Sequence, residues 1–249
     1  MHKLSVVIIT LNAASQLKDC LESAAFADEV VVVDAGSTDG TPALATERGA
    51  RVMHQEWLGF GRQKQFAVAQ AAHDWVLCLD ADERVSGDLR QAIAEVLEAP
   101  RFGAYRMARC NRFLGRYLRH GEGYPDWSLR LFDRRRARWS DDTVHEQVLF
   151  EGEMGTLAGD LLHESCETLD SYLAKQNRYT TLQAEELHKR GKRGRAGQLV
   201  LSPLLRFVKF YLFRLGFLDG TPGLAHTLIG CFNSFAKHAK LIALEREKK

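Results

Sequence analysis

No Cys-x-x-Cys pair occurs in this chain, and its five cysteines (Cys20, Cys78, Cys110, Cys166 and Cys231) stand far apart. That spacing supplies neither a zinc ribbon nor a disulfide frame and reads as reduced thiols in a cytosolic protein. An uninterrupted apolar run of about 18 residues, the length that crosses a bilayer, is also missing. The nearest stretch, Leu199 to Leu218, is broken by Arg206, Lys209 and Arg214, so no membrane-spanning helix is expected. Leu4 to Ile9 is too short for the core of a signal peptide, and no cleavage site follows it. Two phosphate-binding fingerprints are absent as well. Thr10-Leu-Asn12 stands where a Gly-x-Gly-x-x-Gly turn would follow the first strand, which argues against a nicotinamide-binding domain. There is no Gly-x-x-x-x-Gly-Lys-Ser/Thr, so a P-loop is not expected either. Internal repeats and low-complexity segments are lacking, and Lys189 to Gly197 is the only linker-like stretch.

Net charge is small, +2 over 249 residues, but unevenly placed. From Cys166 onward there are 15 Lys and Arg against 7 Asp and Glu, and before it 19 against 25. An acidic first part with a basic tail suggests that the tail meets a polyanion or an anionic membrane. Apolar residues at 45% and charged residues at 27% are ordinary for a globular protein, and the length suits one α/β domain with an appendage.

What the chain does have is Trp75-Val-Leu-Cys-Leu-Asp-Ala-Asp-Glu83, an apolar run that ends in acids. Such a run suits a strand buried on both faces, whose end opens into the crevice where α/β sheets bind ligands. In extended geometry Asp80 and Asp82 project to one side, and two carboxylates aimed at one point favour a hard divalent cation such as Mg²⁺ or Mn²⁺. Leu4 to Ile9, Val30 to Val33 and Arg51 to His54 read as further strands, with helices between them. Ser15, Thr41-Pro42 and Ser86 are the expected helix starts. This rhythm means a parallel sheet with right-handed crossovers. Asp34 ends the second strand and precedes the glycine-rich turn Ala35 to Gly40, so it and Asp80 reach one crevice. Beyond residue 100, Ala104 to Cys110, Ser128 to Phe132, Val144 to Phe150 and Leu161 to His163 read as strands. The tail reads as helices over roughly 169–190, 197–215 and 222–247.

Taken together, Ser5-Val-Val-Ile-Ile-Thr-Leu-Asn12, Val31-Val-Val-Asp-Ala-Gly-Ser-Thr-Asp-Gly-Thr41 and Leu79-Asp-Ala-Asp-Glu83 resemble the family 2 glycosyltransferases of GT-A fold. A narrower resemblance, to bacterial β-1,4-glucosyltransferases of lipopolysaccharide core assembly, rests on four pieces. They are Trp57-Leu-Gly-Phe-Gly-Arg-Gln-Lys64, Val144-His-Glu146, the His163 strand and Asp219-Gly-x-x-Gly223. The resemblance implies a GT-A catalytic domain over 1–165, divided at 110 into nucleotide-binding and acceptor halves, and a helical basic tail over 166–249. It implies an inverting transfer from a nucleotide sugar, UDP-glucose in this subgroup, to a lipid-linked glycan. By the same resemblance Thr10, Asn12, Asp34, Lys64, Asp80 and Ala81 serve the donor, with Asp34 on the nucleoside and Asp80 near the ribose. Asp82 and His163 are the implied metal ligands. Two departures stand out: Ala35 replaces a second acid common in relatives, and Gln65 stands where asparagine is frequent.

An inverting displacement needs a base facing the acceptor hydroxyl, and Asp141, Asp142 and Glu146 compete for it. Glu146 is the expected base, at the edge of a strand and at the place where inverting relatives carry an acid. His145 is a further candidate for metal or diphosphate, and Asp126-Trp127 for the sugar pocket. Arg206, Lys209 and Arg214 share one face of an aromatic-rich helix, which suits the interface of an anionic membrane. A cytoplasmic enzyme resting on the inner face of the cell membrane is the resulting expectation. Two other readings remain. A sugar-nucleotide pyrophosphorylase shares the architecture but shows an Arg- and Lys-containing glycine loop after its first strand, absent here. A non-catalytic RNA-binding protein would use the basic tail, yet no aromatic-studded RNA motif is present, and nucleic acid is not an expected partner.

Overall fold

The computed structural model describes residues 2–142, 146–165 and 168–246. The chain forms two compact units, residues 1–110 with 126–164, and residues 111–125 with 165–249. Residues 111–125, grouped by sequence with the acceptor half, thus belong with the C-terminal helices.

In the first unit the order is β1 (Leu4–Thr10), α1 (Ala14–Ala24), β2 (Glu29–Asp34), α2 (Thr41–Glu47), β3 (Arg51–His54), α3 (Phe60–Gln70) and β4 (Trp75–Asp80). Then come β5 (Glu83–Val85), α4 (Gly87–Glu98) and β6 (Ala104–Phe113), whose last residues pass into the second unit and pair there with β7 (Arg116–Tyr117). The first unit resumes with β8 (Asp126–Asp133), β9 (Ala137–Trp139), β10 (Val148–Phe150) and β11 (Gly155–His163). Along the main sheet the strands lie in the order β3-β2-β1-β4-β8-β6-β11-β5. The first four are parallel, whereas β8 runs antiparallel to β4 and to β6, and β11 antiparallel to β5, so the sheet is mixed.

Every residue of β1 is buried, which is why its sequence shows no polar alternation. Val6 and Ile8 pack on one face with Leu17 of α1 and Leu89 and Ile93 of α4. Val7 and Ile9 pack on the other with Ala67 and Val68 of α3. Each such fully buried aliphatic side chain contributes about 1.5–3 kcal/mol. Register does the rest: Thr10 lies beside Asp34 and Ile9 beside Asp80, which brings three strand ends to one edge.

Several local expectations shift. Ser15 does not cap α1, which starts at Ala14 after Ala13. Instead, Thr41 Oγ1 accepts the Ala13 N–H at 2.9 Å and Asp39 Oδ2 the Ala14 N–H at 3.1 Å, so a neighbouring loop supplies the missing acceptors. Gly40 is the N-cap of α2, one residue before the expected Thr41. Ser86 does cap α4, accepting from the Leu89 N–H at 3.3 Å. The strand read from Val144 is seen only from Val148, and Val144 and His145 lie outside the described residues.

The second unit holds α5 (Leu169–Lys189), α6 (Ala196–Phe207) and α7 (Gly220–Arg246). A π-helical turn, Val208–Phe213, continues α6, and a 3-10 turn, Gly216–Asp219, precedes α7. Many of its large apolar side chains point outward. No residue of α6 or of the π turn is buried, and Val200 and Phe213 are 72% and 80% exposed. Leu201, Leu204, Leu205, Leu228 and Phe232 are exposed too. Beside the buried Leu118 and Leu241, many side chains turned inward are small or polar: Thr180, Ala184, Thr227, Ser234 and Ala236, with Ser202 and Ser234 hydrogen-bonded at 2.6 Å. Bundles in water reverse this arrangement, while helices packed in lipid share it. Ala196–Phe213 has a mean hydropathy of 1.2 over 18 residues, long and apolar enough on those two counts to cross a membrane. The expected basic stripe is also corrected. Arg206 folds onto Glu122, Nε to Oε2 at 2.9 Å, and only Lys209 and Arg214 stay exposed.

Candidate active site

A cavity of about 440 Å³ opens where β1, β4 and β11 end, within the 300–1,000 Å³ typical of small-molecule sites. Thr10, Asn12, Asp80, Ala81, Asp82 and His163 line it, so six of the residues chosen from sequence converge there. Asp34, Lys64 and Glu146 do not line it, but each is tied to what does.

Asp34 is buried and works inside its own loop. Oδ1 accepts from Thr10 Oγ1 at 2.9 Å and Ser37 Oγ at 2.5 Å, and Oδ2 from the Gly36 and Ser37 N–H groups at 2.9 and 2.8 Å. Burial disfavours the charge, but these donors, Ser37 foremost, hold the carboxyl below its usual range. Four donors fill the acceptor positions of a carboxylate, so Asp34 holds the shape of the turn. Gly36, at φ +99°, adopts a backbone that side chains resist and so delivers its N–H. Asn12 sews the same turn to the end of β1. Its N–H donates to Ser37 Oγ at 2.7 Å, and its Oδ1 accepts the Thr38 N–H at 2.8 Å.

Asp80 and Asp82 part ways, contrary to the expected pair of facing carboxylates. β4 ends at Asp80 and the chain turns through Ala81 and Asp82 into β5, so extended geometry stops one residue too early. Asp80 is neutralised by the protein itself: Lys64 Nζ lies 3.0 Å from Oδ1, and Arg130 Nη2 2.7 Å from Oδ2. Burial opposes its charge, yet Arg130 and Lys64 pull its pKa far below the usual carboxylate value. Asp82 instead meets His163, Oδ2 to Nε2 at 3.2 Å. The β5–β11 register sets this contact by placing His163 opposite Glu83.

Lys64 also reaches Glu146 Oε1 at 3.2 Å, so Asp80, Lys64 and Glu146 form a chain of ion pairs, and its ammonium sits 4.8 Å from the Trp139 ring centre. Gly61 makes this possible: a Cβ there would stand 2.2 Å from the Ser140 carbonyl oxygen. Only glycine lets α3 approach the segment that carries Glu146. Asp142 is exposed, and Asp141 is 75% exposed with Arg138 at 3.8 Å, both outside this chain of pairs. Trp127 does not line the cavity either; it stacks under Arg106 at 4.7 Å while Asp126 pairs with Arg109 at 2.8 Å. His145 is outside the described residues.

Three features escaped the sequence. Trp57 and Phe60 meet edge to face at 4.8 Å and wall the cavity. Arg130 bridges Asp80 to Glu83, which is fully buried and accepts at 2.8 Å, while Arg130 Nε has no partner among the described residues. Glu83 in turn fixes the strand end by accepting the Asp80 N–H at 2.9 Å. The available signal was a cation between two leucines in a strand.

Among the described residues no group of three or more His, Cys, Asp or Glu gathers as a metal cage. The pair Asp82 and His163 fits a divalent ion that draws its other donors from water and a diphosphate, the habit of Mg²⁺ and its relatives.

Residues 5–150 match the family described as Glycosyl transferase family 2. The chain is 35% identical over 247 residues to the lipopolysaccharide core biosynthesis glycosyltransferase LpsC of Rhizobium meliloti, covering 96% of this chain and 91% of that one. It is 31% identical to an uncharacterized glycosyltransferase of Rickettsia typhi, over 97% of this chain and 87% of that one. Among solved structures, S. aureus TarS in complex with UDP aligns over 99% of this chain and 92% of that chain, at a TM-score of 0.51 and 15% identity.

Proposed function

This chain belongs to glycosyl transferase family 2, with the GT-A-type fold its motifs imply, and from that premise we propose that it transfers a hexose from UDP-glucose, with inversion, onto a lipid-linked glycan of the lipopolysaccharide inner core. The observation that carries this reading is the meeting at one cavity of the Asp82–His163 pair and of Asp80, from which a chain of ion pairs runs through Lys64 to Glu146. The acceptor class rests on similarity to LpsC, and the donor sugar on the resemblance of motifs.

In this reading the turn shaped by Asp34 and Asn12 receives the nucleoside, beside the wall of Trp57 and Phe60. Asp80, held in place by Lys64 and Arg130, faces the ribose. Asp82 and His163 would hold Mg²⁺ or Mn²⁺, which when bound supplies charge stabilisation on the departing diphosphate. Glu146 takes the proton from the acceptor hydroxyl as that oxygen attacks the anomeric carbon and the bond to the diphosphate breaks. Lys64, donating to Glu146 Oε1, orients the carboxylate for that step.

Attachment to the inner face of the cell membrane belongs to the same proposal. Its support is the outward apolar face of α6 and α7, flanked by exposed Lys209 and Arg214. An apolar face with a few cations suits the lipid interface better than charge alone.

The test is a panel of nucleotide sugars with Mn²⁺, Mg²⁺ or EDTA, followed by thermal unfolding and by product formation on truncated core glycans. UDP-glucose with a divalent ion should give the largest stabilisation and the only transfer. Equal stabilisation in EDTA, or UTP release from UDP-glucose and pyrophosphate, would refute the reading.

A further inference from the structure

A second cavity, about 130 Å³, lies within the helical unit. It is several times the ~30 Å³ that a water molecule occupies in the liquid and well below the volume a nucleotide sugar requires. Its lining is polar. Gln176, Tyr179 and Thr180 of α5 face His226, Asn233 and Lys237 of α7 across it. The Arg206–Glu122 ion pair closes one side. Gly230 lets that pair in, since a Cβ there would fall 2.3 Å from Glu122 Oε2 and 3.0 Å from Arg206 Nε.

The charges inside do not balance. Arg206 is answered by Glu122, but Lys237, only partly exposed, has no hydrogen-bonding or acidic partner among the described residues. Its pKa is pulled down by burial and then by Arg206; burial and Arg206 likewise lower that of His226. Neighbouring polar groups are already oriented: Asn233 Nδ2 donates to Gln176 Oε1 at 2.8 Å, which leaves the Gln176 amide N–H groups for another acceptor. A half-buried, unanswered ammonium beside a guanidinium, amide donors and a neutral imidazole is an environment one anionic oxygen cluster would complete.

We propose that this cavity binds a phosphate group, with Lys237 as its charged contact and Gln176 as a hydrogen-bond donor. The volume admits the charged end of a larger ligand, so the group is either a soluble phosphate or the headgroup of a phospholipid. The site is independent of the donor site and stands whether or not UDP-glucose is the donor.

The test uses the full chain and Lys237→Gln, with the circular dichroism spectrum of the variant as its control for folding. Thermal unfolding is followed against inorganic phosphate, because a ligand bound only to the folded state raises Tm with concentration. Sedimentation is followed with phosphatidic acid vesicles and with phosphatidylcholine vesicles. A phosphate-dependent rise in Tm that is at least tenfold weaker in apparent affinity in K237Q assigns a soluble phosphate. Preference for phosphatidic acid over phosphatidylcholine, lost in K237Q without a response to inorganic phosphate, assigns a lipid headgroup. Gln176→Leu should weaken either response in the same direction. No response to either probe, or equal responses in wild type and K237Q, overturns the proposal.

Discussion

Replacing Arg130 by methionine removes the one cation that touches both Asp80 and Glu83, at 2.7 and 2.8 Å. Asp80 keeps Lys64, but Glu83 has no exposed surface and, among the described residues, is left with Arg109 as its remaining cation, at 3.7 Å. Stranding one member of a buried pair costs about 3–5 kcal/mol; because Arg109 remains, we expect about 3 kcal/mol. At roughly 2–4 °C per kcal/mol for a chain of this size, Tm should fall by about 6–12 °C near neutral pH. The pH dependence gives the sharper signature. Burial already raises the Glu83 pKa, with Arg130 as the largest opposing influence, so its loss must push that pKa higher. A carboxyl raised in the folded state contributes stability that is present below its unfolded pKa, about 4.3, and lost as pH rises through the folded value. The deficit of Arg130→Met should therefore be smallest near pH 4 and full at pH 7.5, with the window between these set by the raised Glu83. Adding Glu83→Gln removes the stranded charge and should restore at least half of the lost Tm. Melting curves for the four proteins of this cycle at both pH values are the assay. A Tm within 1 °C of wild type, a deficit flat in pH, or a double variant no better than Arg130→Met would refute the reasoning.

Three further outcomes follow from the site and the helical unit. Glu146→Gln should keep donor binding by calorimetry and lower turnover by roughly 10²-fold or more, while Asp142→Asn changes little; the reverse pattern moves the base to the turn. Asp82→Ala should unfold at the wild-type temperature without ligand yet lose the divalent-ion-dependent stabilisation by UDP; retention of it would remove Asp82 from the ion. Leu204→Glu with Phe213→Glu should abolish sedimentation with anionic vesicles, while Lys209→Ala with Arg214→Ala should weaken it only at low salt, since exposed charges are screened. Equal binding by all these proteins would place the membrane contact elsewhere.

Most of the parallel half of the sheet was legible because β1, β2 and β4 are largely buried on both faces, and Leu4 to Ile9, Val30 to Val33 and Trp75 to Leu79 write that as unbroken apolar runs. The cavity could be anticipated from the same strands, since acids at their ends mark where they stop. β5, β7 and β9 are two or three residues long, too short for any period to declare itself. Arg130 was invisible for a different reason. Between Leu129 and Leu131 it mimics the outward position of an alternating strand, while the acids that draw it inward lie 47 and 50 residues away in sequence. Arg206 misled in the same way, its partner Glu122 being 84 residues distant. Helical periodicity found the tail helices but could not tell which face turns inward. That depends on whether the surroundings are water or lipid, which a sequence pattern does not record.

The stitched turn around Asp34 bears on timing as well as shape. Thr10, Asn12, Ser37 and Thr38 are hydrogen-bonded to one another or to Asp34 before any ligand arrives. A loop that had to order itself on contact would lose about 0.5–1.5 kcal/mol of affinity for each side chain immobilised and would slow capture by the rate of its closing. Here the entropy is lost once, when the chain folds. If the turn receives the nucleoside, as proposed, the ligand meets a surface that is already formed and no loop closure has to precede its capture. On the proposed donor site, rapid exchange of the spent nucleotide for a fresh donor would be the kinetic consequence of a carboxylate that spends its four acceptor positions on its own loop.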